Sequence, residues 1–172
     1  MPFQAAVKDV SLVTGRAPYH QASAGGEAGY RLHFLKSGKI TKLGGEMATK
    51  GTYSVSVWRT RDKQLLVTTQ VTVSDINSFS YAAITPLDVF KDTSYVVSFH
   101  NPDANTYVHW IYASSPFRNI YPFTKGNVVA DQLLDLINLP LGGTTSTYPY
   151  TTYSSDQGYI GAACDFVYQP LR

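Results

Sequence analysis

From Gly51 to Val73 apolar and polar side chains alternate along the chain. Tyr53, Val55 and Val57 interleave with Ser54, Ser56 and Trp58, the period of two of a half-buried strand. Arg61-Asp62-Lys63 is a polar turn, and Leu65, Val67 and a Thr/Val run form the return strand of a hairpin, since β-branched residues suit a pleated surface. The hairpin is expected at the centre of a sandwich, with Trp58 opposite the Tyr53 face and buried under a neighbouring loop. Tyr30 to Phe34 repeats the pattern, with Tyr30, Leu32 and Phe34 inward. After a Ser37-Gly38 turn, Lys39 to Met47 is a strand with a bulge or bend predicted at Gly44-Gly45. Another strand begins at Phe79 and is expected to stop at Pro86. Ser94 to His100 places Tyr95, Val97 and Phe99 on one face, and Tyr107 to Tyr112 reads as its partner across an Asn101–Asn105 turn. Tyr159 to Tyr168 is the last strand.

The remaining segments are less regular. Phe3 to Leu12 is a candidate strand, and Gly15 to Gly29, rich in Gly, Ala and Ser, reads as loop. Asn127 has the chemistry of a helix N-cap for residues 128–138. Val129, Leu133, Leu136 and Ile137 would share one side of that helix, and Pro140 and Gly142-Gly143 would stop it. Thr144 to Gly158 is a Thr/Ser/Tyr-rich loop. Eight or nine short strands with regular turn signals define the expected class: all-β, an antiparallel, jelly-roll-like β-sandwich with one short helix inserted near 128–138.

Composition narrows the function classes. The 172 residues are expected to form one domain over 1–172, and a 44% hydrophobic share supplies a full core. Charged residues make up only 15%, against roughly 25% in an average soluble protein. Thirteen tyrosines and abundant threonine take their place, which suits a binding or packing surface. A net charge of +2 without a large Lys/Arg cluster points away from nucleic acid. Cys164 is the sole cysteine, so no intrachain disulfide forms. That fits a reducing compartment or an exported protein without disulfides. MPFQAAVKDV lacks a charged segment leading into an apolar one, so no signal peptide is expected in this sequence. No apolar run approaches the roughly 20 residues of a membrane span.

Several motifs lie in register with these strands. They are Gly38-Lys39-Ile40-Thr41, Gly51-Thr52 with Ser56-Val57-Trp58, Leu65-Leu66, and Thr93 with Tyr95-Val96-Val97-Ser98-Phe99. The series resembles the bacterial domain-of-unknown-function family 4082, well over Gly29 to Tyr107 and weakly in the closing Cys164–Pro170 strand. The resemblance implies a β-sandwich module of exported multidomain proteins, hence an extracellular or cell-surface setting. It implies no catalytic residues. The helix-bearing stretch from Phe117 to Gly158 would be an elaboration on that pattern.

Candidate chemistry is sparse. His33, His100 and His109 fall on strands and His20 in a loop; His100 and His109 could approach across a hairpin. A tight His-x-His with a carboxylate is absent, so no metal is expected. Asn101, Asp103 and Asn105 alternate as in a calcium loop, but the Gly and distal Glu are missing and a turn demands the same residues. The acidic residues sit mostly at turns, Asp165 is expected to face solvent, and Cys164 reads as a buried thiol. No cofactor and no catalytic residue is expected. Aromatics are the informative set: Trp110, Tyr112, Phe117 and Tyr121, then Tyr148, Tyr150 and Tyr153 in the late loop. Such rings pack locally, anchor interfaces or stack on sugars. The expected function is a non-catalytic, exported binding or adhesion module for a glycan or protein ligand. The alternative is a self-associating structural subunit of a surface layer, filament or other homo-oligomer.

Overall fold

A computed structural model describes residues 13–20, 25–47, 49–76, 78–101, 107–113, 121–139, 146–152, 159–161 and 164–172. Its regular elements are all strands: β1 (Val13–His20), β2 (Gly25–Phe34), β3 (Gly38–Gly45), β4 (Gly51–Arg59), β5 (Gln64–Val73), β6 (Ser80–Val89) and β7 (Ser94–Asn101). They continue with β8 (Tyr107–Ala113), β9 (Phe123–Lys125), β10 (Val128–Leu139), β11 (Thr151–Thr152), β12 (Tyr159–Gly161) and β13 (Cys164–Pro170). A large antiparallel sheet runs β11-β10-β2-β7-β4-β5, with β9 also on β10. A smaller sheet runs β13-β3-β6, and β1-β8-β12 form a third.

The core lies between the large and small sheets. Tyr30, Leu32 and Phe34 of β2, Val55 and Val57 of β4, and Val97 and Phe99 of β7 meet Ile40 and Leu43 of β3 and Phe166 of β13. Phe34 is the hub, 4.7 Å from the Tyr168 ring, 5.7 Å from Tyr95 and 6.2 Å from Phe166, centroid to centroid. Each side chain of this size stabilises by about 1.5–3 kcal/mol when fully buried. The fold is the expected antiparallel β-sandwich, and the Tyr30–Phe34, Tyr53–Trp58 and Ser94–His100 faces point as their alternation predicts.

Several expectations are corrected. Residues 128–138 are not a helix. They lie in β10, which pairs with β2 from Val128↔Phe34 to Leu139↔Gly25. The register breaks between Ala130 and Gln132, so the inward residues Val128, Ala130 and Leu133 change from a spacing of two to three. A bulged strand therefore mimics helical periodicity. Of the expected loop Gly15–Gly29, residues 15–20 lie in β1 and 25–29 in β2. Gly29 is there for closeness: a Cβ on it would sit 2.7 Å from Ser98 Cα, so the two backbones could not approach. Pro86 does not end its strand. β6 is an edge strand whose register jumps from Ile40↔Leu87 to Lys42↔Ala83, and proline is tolerated at such a bulge. The predicted irregularity at Gly44-Gly45 falls instead after Ile40.

Two pairings also differ. β8 pairs with β1 and β12, not with β7, so His100 and His109 do not flank one hairpin. The β4–β5 hairpin forms as expected, but β5 is an edge of the large sheet and the centre belongs to β2 and β7. The candidate strand Phe3–Leu12 lies outside the described residues. Among the described residues no helix is long and apolar enough to cross a membrane.

Candidate functional site

Alternation gives the large sheet a second face, directed away from the core, and many of its residues are polar. Glu27 comes from β2, Ser98 and His100 from β7, and Ser54, Ser56 and Trp58 from β4; all are buried. Glu27 is the centre, with no exposed surface. Trp58 Nε1 donates to Ser98 Oγ at 3.0 Å, and Ser98 Oγ donates to Glu27 Oε1 at 2.5 Å. His100 Nδ1 lies 3.1 Å from Glu27 Oε2, and the Thr147 backbone N–H donates to the same oxygen at 3.3 Å. A buried carboxyl group left without donors would cost several kcal/mol; here three protein groups surround it.

Thr147 belongs to residues 146–152, which cross this face and close it. Ser146 Oγ lies 2.8 Å from Ser56 Oγ. Tyr148 packs edge-on against Trp58, ring centroids 5.9 Å apart at 90°, over a small apolar cluster of Trp58, Val96 and Leu134. Thr151 and Thr152 pair with Asp135 and Leu134 of β10. Trp58 thus lies opposite the Tyr53 face, as the alternation predicts, and is buried beneath a neighbouring segment, as expected.

The surface of this crossing segment carries the open chemistry. Lys63 has positive φ (55°) at the end of the β4–β5 turn, and its Nζ lies 5.7 Å from the Tyr148 ring centroid and 5.8 Å from that of Tyr150, within cation–π range. Tyr150 is 64% exposed. An open aromatic face and a neighbouring ammonium can stack on an apolar ring face and donate to its oxygens. Glu27, Ser98 and His100 beneath it are buried.

The other sequence-selected residues are dispersed. Trp110 and Tyr112 lie on β8 opposite Ala17 and Gly15 of β1. Tyr121 packs on the core, its ring 6.5 Å from that of Tyr30. Phe117, Tyr153 and most of the Asn101–Asn105 turn lie outside the described residues. Tyr148 and Tyr150 are brought together, joined by Lys63, which the sequence marks only as a turn residue. Glu27 escapes sequence reading because it falls in an apparent Gly-rich loop. Ser98 and His100, alternating with Val97 and Phe99, are the visible hint of a polar face.

Three further groups bear on chemistry. Asp165 is not solvent-facing; it is 1% exposed. Tyr81 reaches across β3 to donate to Asp165 Oδ2 at 2.5 Å, and this needs Gly44 between them, where a Cβ would meet Tyr81 Cδ1 at 2.3 Å. Cys164 is buried, as expected, with Sγ 3.4 Å from Val97 O. His33 Nδ1 sits 3.0 Å from both carboxyl oxygens of Asp131, the residue at the β10 register break. Among the described residues no three His, Cys, Asp or Glu side chains gather as a metal site.

No family model and no curated protein sequence matches the chain.

Burial pushes the Cys164 thiol and the Tyr121 phenol up, and burial followed by the Asp165 charge pushes the Tyr81 phenol up. In the unfolded chain these groups lose protons near 9.0 and 10.0, whereas the folded chain keeps them. Their contribution is present at lower pH and is lost as pH rises from about 9 upward. The urea midpoint is expected to be flat from about pH 7 to 8.5 and to fall above that. Tyr81→Phe should flatten the fall, and an unchanged fall in that variant contradicts the assignment to Tyr81.

Proposed function

We propose that the protein is a non-catalytic binding module of the exported type, with a ligand surface centred on Tyr150 and Lys63 and glycans as the ligand class. One observation carries this reading: an exposed tyrosine ring stands beside an ammonium group on a segment pinned to a rigid sheet. Pre-organised aromatic platforms bind without a large ordering cost. The motif resemblance over residues 29–107 supports an exported module. The enclosed position of Glu27, His100 and Asp165 supports a non-catalytic role. On a glycan array, binding is expected to at least one glycan class. Tyr150→Ala should weaken that binding about tenfold or more while leaving the unfolding midpoint in place. A blank array, or full binding by the variant, sinks the reading.

Self-association is the second reading, and a specific feature favours it. β5 is a sheet edge of 10 residues, Gln64–Val73, and contains no charged residue. Thr68, Gln70 and Thr72 are exposed along it. Charges and prolines normally guard such edges, and an uncharged strand meets its own copy without repulsion. Size-exclusion chromatography with light scattering is expected to show a concentration-dependent oligomer that Thr68→Lys dissolves. A monomer at every concentration removes this reading.

A further inference from the structure

Beyond the Tyr150 surface, the geometry points to a second binding site: the end of the sandwich formed by the 35–37, 60–63 and 90–93 turns and by Leu171-Arg172 is a docking tip for an anionic lipid bilayer. Strand register brings these segments together. β2 and β4 end there, and β5 and β7 begin there, as Arg59↔Tyr95 and Leu32↔Tyr95 show. β3 begins and β6 and β13 end at the same level, with Gly38 opposite both Val89 and Pro170.

Large apolar side chains project from this end. Phe90 is 61% exposed, and Leu35, Leu65 and Leu171 are also exposed. The backbone segments that carry three of them meet at Ser37: Leu171 N donates to Ser37 O at 2.9 Å, Lys91 N beside Phe90 donates to Ser37 Oγ at 2.9 Å, and Leu35 lies two residues before Ser37. The exposure of Phe90 does not come from a loose loop. Its N–H donates to the Tyr95 hydroxyl at 3.0 Å, its carbonyl accepts from Thr93 N, and Asp92 N donates to Phe34 O. A fixed loop therefore holds a phenyl ring in water, and clustered exposed apolar groups of this kind mark interaction sites.

Charge identifies the occupant. Each acid at this end already has a cation: Asp62 has Arg59, Asp88 has Lys39 and Asp92 has Lys91. Lys36, Arg172 and Lys63, the last shared with the Tyr150 surface, remain without a carboxylate in ion-pair range among the described residues, and each is exposed. The tip thus carries surplus positive charge around a projecting apolar centre. This end presents apolar side chains and cations side by side. It suits an interface in which side chains enter the acyl boundary while lysines stay among anionic headgroups.

The test is sedimentation of the full chain with vesicles of phosphatidylcholine alone and with phosphatidylglycerol added. Binding is expected only to the anionic vesicles and should weaken with salt. Lys36→Gln and Arg172→Gln should each cost about fivefold in partitioning. Leu35→Ser with Phe90→Ser should abolish it without lowering the unfolding midpoint, because both side chains face water. Tyr150→Ala should bind vesicles normally, which separates this site from the glycan surface. Failure to bind anionic vesicles, equal binding to neutral ones, or unchanged binding by the tip variants overturns the proposal. So does retention on an acidic polymer such as heparin without vesicle binding.

Discussion

The carboxyl group of Glu27 lies inside the protein, and much of the surrounding organisation follows from meeting its hydrogen-bonding needs. An ordinary half-buried sheet would leave the face opposite the core in water. Here that face carries an acid, a histidine, serines and a tryptophan, and residues 146–152 are drawn over it. Thr147 contributes a backbone N–H to the acid, and Tyr148 contributes an apolar edge to Trp58. Ser146 bonds to Ser56, and Thr151 and Thr152 pair with β10. Together they convert a loop rich in Thr and Tyr into a fixed platform, and Tyr150 stands on it. The exposure of Tyr150 on this face thus goes together with the burial of Glu27 and Trp58 beneath it.

The sandwich places its two candidate surfaces differently. The platform depends on the outer face of the large sheet, whereas the apolar tip depends on turns shared by both sheets. Phe34 ties the tip to the core: its ring packs against Tyr95 and Tyr168, and its carbonyl fixes Asp92 in the loop that presents Phe90. Tyr168 also donates from its hydroxyl to Lys36 O at 2.5 Å. Core residues thereby set the geometry of turns that carry no core of their own.

Strands with one apolar face and one polar face are readable from sequence, which is why Tyr30–Phe34, Tyr53–Trp58 and Ser94–His100 emerge with the right orientation. Two physical effects hide the rest. A bulge at Asp131 inserts one residue into β10 and turns a strand pattern into a helix-like one. Glycine at position 29 permits close backbone approach and looks, in sequence, like a loop. Strand partners are also illegible, because β7 and β8 neighbour each other in the chain but pair elsewhere. At the site, Tyr148 and Tyr150 are recognisable as a ring cluster. Lys63 is not, since a contact across two distant segments leaves no local signal. Glu27 is hidden by its glycine neighbours.

Amide hydrogen exchange at Thr147 tests most directly whether Glu27 holds the platform in place. In the unaltered protein the Thr147 amide should be protected well above a free chain, and Glu27→Gln should accelerate its exchange while amides of β4 facing β7 remain slow. A Thr147 amide that exchanges at free-chain rate in the unaltered protein, or one equally protected in the variant, contradicts the account.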